Sequence, residues 1–126
     1  MIAPHAAPDY GSAVFAGWRR AAADEWQAYT RHAFVRGLGD GSLPRQAFLR
    51  YLTQDYLFLL HFARAWALAV VKAGDLEEMR AAAATVDALV NQEIRLLVET
   101  CAAAGIAEKT LLAAEEAVET LAYTRF

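Results

Sequence analysis

Apolar residues along this chain recur every three or four positions, the period of a helix with one buried face, and no stretch alternates with the period of two that would rival it as a strand. After Ser12, whose hydroxyl suits a helix N-cap, they fall at Val14, Phe15, Trp18, Ala22, Trp26 and Tyr29, with Arg19, Arg20, Asp24 and Glu25 between them. A first helix is therefore predicted there. The three alternate glycines and the proline of Gly37-Leu-Gly-Asp-Gly-Ser-Leu-Pro44 predict a loop through which no helix propagates. A second helix is expected to start at Pro44, with Ser42 as its candidate cap, and to run to Gly74, about 30 residues or about 45 Å. Asp75 is positioned to cap a third helix, with Glu77 and Glu78 in its first turn where the helix dipole favours them, and this helix reaches Gly105. A shorter segment follows from Ala107, and another begins near Glu119. No repeat of about 20–50 residues is evident. The expected class is all-α.

Composition adds one constraint. Of the 126 residues, 57% are apolar, against about 45–50% in an ordinary soluble domain, and the mean hydropathy is +0.19. Such a chain is not disordered, and its excess apolar surface is expected to pack against another subunit or further chain. A net charge of −3 and a pI near 5.6 give no basic field to gather nucleic acid. The single cysteine, Cys101, forms no internal disulfide. Met1 to Pro8 lacks the basic and apolar regions of a secretory signal. The most apolar run, Leu57 to Val71, is interrupted by His61 and Arg64 and is too short for a membrane span. The expected location is cytoplasmic, with neither nucleic acid nor membrane as partner.

Two carboxylates stand out. Asp55 lies in a stripe of Phe48, Tyr51, Phe58, Leu59 and Phe62 at helical spacing, and none of its neighbours one turn away is a cation. Burying it unpaired is costly, so it is expected to be protonated, to accept bonds from a Tyr or an Arg elsewhere, or to await a ligand. Glu93 sits among Leu89, Val90, Leu96 and Leu97, and an ion pair with Arg64 or Lys72 is its simplest use, with acid/base duty or metal ligation as the other uses. The Glu-x-x-His pattern of a bundle metal site is absent, since Leu96, Leu97 and Thr100 follow Glu93. His5, His32 and His61 are scattered. Cys101, with Val98, Ala102 and Ala104 nearby, reads as a small buried residue, not a nucleophile.

The segment His32-Ala-Phe-Val-Arg-Gly-Leu-Gly-Asp-Gly-Ser-Leu-Pro44, followed by Phe48, Tyr51-Leu52, Gln54-Asp55-Tyr56-Leu57-Phe58-Leu59 and His61-Phe62-Ala63-Arg64-Ala65, resembles the TenA/THI-4 family, the thiaminase II type of aminopyrimidine hydrolase. The resemblance continues through Glu93 to Leu121-Ala-Tyr-Thr-Arg-Phe126 and so covers nearly the whole chain beyond residue 10. It implies a heme-oxygenase-like helical bundle, assembled as a tetramer, that salvages the pyrimidine half of degraded thiamin without a cofactor or metal. It also implies that Asp55 bonds the exocyclic amine and adjacent ring nitrogen of an aminopyrimidine. Tyr123, Phe58 and Tyr51 would be aromatic walls of that pocket. Where the family pattern carries a Tyr three residues after this Asp, the chain has Phe58. The family's nucleophilic Cys and acid/base Glu fall on helices after the Ala-Tyr-Thr segment, beyond Phe126. Residues 11–126 are thus expected to be the N-terminal portion of one domain behind a tail of residues 1–10, inert in hydrolysis by itself and missing its C-terminal helices. Two other readings stand beside it: a non-catalytic pyrimidine-binding or regulatory protein, and a heme-oxygenase-like metal-dependent oxidase.

Overall fold

The structure, a computed structural model, describes residues 11–125. The expected tail of residues 1–10, with His5, lies outside the described residues, as does Phe126. The chain divides into two compact units, one up to Pro44 and one from Arg45 onward. Every regular element among the described residues is helical.

In the first unit the predicted helix is two: α1 (Ala13–Ala21) and α2 (Ala23–Thr30), broken at Ala22. Ser12 caps α1 as expected, its hydroxyl accepting from the Phe15 amide at 3.2 Å. The Phe15 and Trp26 rings meet edge to face at 6.0 Å, and the Arg19 guanidinium lies 5.2 Å from the Trp26 ring centre. The glycine-rich stretch corrects the sequence reading. Helix α3 (Ala33–Asp40) runs through Gly37 and Gly39. His32 Nδ1 caps it by accepting from the Phe34 amide at 3.1 Å. Gly37 serves a close approach: a Cβ there would come within 3.3 Å of the Leu43 backbone, whose amide donates to the Gly37 carbonyl at 2.9 Å. The helix ends where the sequence supplies a residue tolerant of the left-handed region, Gly41 at φ 78°. Helix propensity alone puts Gly last but for Pro, and local closure outweighed it here.

The second unit is built on α4 (Arg45–Lys72), which begins one residue after Pro44. Against it pack α5 (Leu76–Ala88), a π-helical turn (Leu89–Glu93), α6 (Ile94–Ala103), α7 (Glu108–Leu112) and α8 (Val118–Thr124). Asp75 caps α5 as predicted, accepting from the Glu78 amide at 2.8 Å, while the Glu78 carboxylate accepts from the Gly74 amide at 2.9 Å. The expected third helix is real but carries the π turn inside it. There the Ile94 amide reaches back five residues to the Leu89 carbonyl.

The core joins Leu52 and Tyr56 of α4 to Leu97 and Cys101 of α6 and Leu111 of α7. Cys101 and Leu111 are fully enclosed. Burial pushes the Cys101 thiol up, so little thiolate exists at neutral pH. Iodoacetamide is therefore expected to leave Cys101 unlabelled in native protein and to label it fully in denaturant. Rapid native labelling, read by mass spectrometry, would contradict this burial.

Candidate functional site

The core line along α4 is Leu52, Tyr56 and Ala63, so the stripe carrying Asp55 lies beside the core and not in it. Tyr51 and Phe62 of that stripe are exposed. Further along, Phe58 and Phe62 stack at 5.4 Å, and Phe62 meets Trp66 edge to face at 6.3 Å. One turn before Phe58, Asp55 is half-buried, and its carboxylate takes part in no hydrogen bond or ion pair among the described residues. Burial raises its pKa above the ordinary aspartate range. Glu93, the last residue of the π turn packed on α4, raises it further by like-charge repulsion. The expected ion pair of Glu93 with Arg64 or Lys72 does not form among the described residues. Glu93 instead sits in the field of another carboxylate.

A cleft of about 390 Å³ opens between α4 and α8, lined by Phe58, His61, Phe62, Ala65, Tyr123 and Thr124. Tyr123 meets the Phe58 ring edge to face at 5.3 Å. The short α8 that presents Tyr123 is tied to α4 by side chains. Gln54 Nε2 donates to the Glu115 carbonyl at 3.0 Å, and Gln54 Oε1 accepts from the Ala117 amide at 2.8 Å and the Thr120 hydroxyl at 2.7 Å. His61 Nε2 lies 2.6 Å from Glu116 Oε1, and Arg125 Nη2 lies 2.5 Å from Glu116 Oε2.

The structure thus brings Phe58 and Tyr123 into one cleft and sets Asp55 one helical turn away, outside its lining. Tyr51 is also outside that lining and packs on Phe48 at 6.4 Å. Sequence reading passed over Gln54 and His61 as site builders. Their spacing of seven places them on one face of α4, but their partners lie about 60 residues further on, where no periodicity points. No group of three or more His, Cys, Asp or Glu side chains among the described residues is arranged to hold a metal ion. No helix there is long and apolar enough to cross a membrane.

A family model described as the TENA/THI-4/PQQC family matches residues 19–126. The chain belongs to this family. An uncharacterized protein of Haemophilus influenzae is 43% identical to it over 101 residues, 80% of this chain and 46% of that protein. The aminopyrimidine aminohydrolase of Halalkalibacterium halodurans is 40% identical over 101 residues, again 80% of this chain and 45% of that enzyme. Among solved structures, a TenA family transcription regulator from Silicibacter sp. TM1040 is 56% identical and superposes with a TM-score of 0.83 over 88% of this chain and 49% of that one. The all-helical fold is therefore the TenA fold. The chain spans about half the length of the curated relatives it matches, from 45% to 46% for these two.

Proposed function

We propose that this chain provides the substrate-recognition part of an aminopyrimidine hydrolase of the thiaminase II type, serving salvage of the thiamin pyrimidine. The observation that carries the reading is Asp55: a half-buried carboxyl with no hydrogen-bond or ion-pair partner among the described residues, held one turn from an aromatic cleft. An aminopyrimidine supplies what that carboxyl lacks. Its exocyclic amine donates to one carboxyl oxygen, and its ring nitrogen shares a proton with the other, a two-point contact of matched shape. The raised pKa favours this exchange, because the carboxyl readily carries a proton when the neutral ring docks. Phe58 and Tyr123 supply flat apolar contact for the heterocycle. The names of the relatives, aminopyrimidine aminohydrolase among them, support the same substrate class. Subunit assembly as a tetramer and a cytoplasmic location belong to this proposal.

Hydrolysis also needs a nucleophile, and Cys101, the chain's single cysteine, is sealed in the core. The 126-residue chain is thus expected to bind 4-amino-5-aminomethyl-2-methylpyrimidine, seen by calorimetry, without releasing ammonia from it. Turnover by the pure chain would overturn the assignment of chemistry to residues elsewhere. A second reading, a binding or regulatory protein without catalysis, is favoured by Phe58, which puts a bare ring where the family pattern has a hydroxyl. In a protein that contains the nucleophile, Phe58→Tyr is expected to raise the hydrolysis rate about tenfold, roughly 1.4 kcal/mol of transition-state stabilisation. An unchanged rate would leave Phe58 no part in the chemistry.

A further inference from the structure

We infer that Gln54 is a positioning residue of the cleft, fixing where Tyr123 stands relative to Phe58. The inference rests on the proposed aminopyrimidine site only for its ligand. The geometry stands apart from it.

Helix α8 has seven residues, too few to be stable on its own, and no side chain of its own caps its first turn. The segment between α7 and α8 brings polar backbone groups against α4 that need partners. Gln54 provides them from across the fold. Its amide donates to the Glu115 carbonyl and accepts from the Ala117 amide at the start of α8 and from the Thr120 hydroxyl one turn in. A carbonyl only accepts and a backbone amide only donates, so these partners fix the amide orientation, which no apolar or singly functional side chain reproduces. Two helical turns on, His61 grips Glu116 between those contacts, and Arg125 at the far end of α8 closes on the same carboxylate. Both ends of α8 are thereby referred to α4. Tyr123 lies between them and touches Phe58, which is on α4 itself. Gln54 does not line the cleft, and its hydrogen bonds go to the start of α8 and the segment before it, so it acts through α8.

The test uses Gln54→Met, which keeps length and volume but loses every hydrogen bond. Two readouts are taken: the nuclear Overhauser contact between the Phe58 and Tyr123 rings in the free protein, and calorimetric affinity for 4-amino-5-aminomethyl-2-methylpyrimidine. The expected result is loss of the ring contact and an affinity lower by about tenfold, with the helical circular dichroism retained. Thr120→Val is expected to weaken binding about threefold in the parent and not at all in the Gln54→Met background, because both changes break the same link. Retention of the ring contact in Gln54→Met, or equal losses from Thr120→Val in both backgrounds, overturns the inference. Should Gln54→Met not fold, Thr120→Val alone carries it through a weakened ring contact. If the parent protein does not bind the pyrimidine, the proposed function fails, and the ring contact alone decides the role of Gln54.

Discussion

Replacing Asp55 by Ala is expected to lower affinity for an aminopyrimidine by about a hundredfold or more while making the folded protein more stable at neutral pH. The binding loss follows from removing both acceptors of a two-point contact, each worth about 1.5–3 kcal/mol when one partner is charged. Asp55→Asn keeps the shape of the contact but cannot exchange the ring proton, and is expected to lose about tenfold. The stability gain follows from the direction of the shift. Because burial and Glu93 raise the folded pKa, the folded state holds its proton more tightly than the unfolded chain. Stability from this group is therefore greatest at pH below the ordinary carboxylate range. It falls as pH rises from that range through the raised folded pKa, and stays low above it. Removing Asp55 removes that loss, so denaturant midpoints of parent and variant should diverge in the variant's favour as pH rises towards 7. Equal midpoints across the pH range, with unchanged pyrimidine affinity, would return Asp55 to the role of an ordinary surface carboxylate.

The largest loss of stability is expected at Leu111→Ala. Leu111 is fully enclosed, in one cluster with Leu52, Tyr56, Leu97 and Cys101. Truncating such a leucine costs about 2–5 kcal/mol, a large part of the roughly 5–15 kcal/mol that holds a domain together. Here the consequence spreads. Helix α7 has only five residues, and Leu111 is its buried anchor. Loosening it frees the segment that leads to α8 and with it the wall formed by Tyr123. Denaturation followed by circular dichroism should show the cost, and the Phe58 and Tyr123 ring contact should weaken at denaturant concentrations where the parent retains it. A loss below about 1 kcal/mol would mean that the site collapses around the smaller side chain.

Much of the fold was legible because it depends on local chemistry. Ser12 and Asp75 cap the helices they were expected to cap, since an N-cap needs only its own side chain and an amide three residues on. Cys101 was correctly read as buried from its apolar neighbours. What failed was what distant chain decides. Gly37 looked like a breaker, and only its close approach to Leu43, six residues on, shows what the missing Cβ makes room for. Glu93 looked like one half of an ion pair, because one-dimensional spacing cannot reveal a π turn or the charge of Asp55 that it meets instead. At the site, the stripe of Asp55, Phe58 and Phe62 was visible as spacing along one helix. The clamp of Gln54 and His61 was not, because its partners are backbone groups and a glutamate that become neighbours only after α8 docks.

The turn at Leu89–Glu93 bears on how this chain tolerates changes of length. A π turn holds one residue more than the α-helical path it replaces, so it is an insertion stored inside a helix. Deleting one of its five residues should let α5 and α6 fuse into an unbroken α-helix without opening a gap. The wide turn takes up its extra residue locally, so α5 and α6 would keep the faces they already present. Leu97 and Cys101 of α6 and Ala82 of α5 would stay on their buried sides. Relatives that differ here by a single residue would keep the same core and present the same face of α5. A length change in mid-helix would then be absorbed where it occurs, with the packing on either side of it conserved.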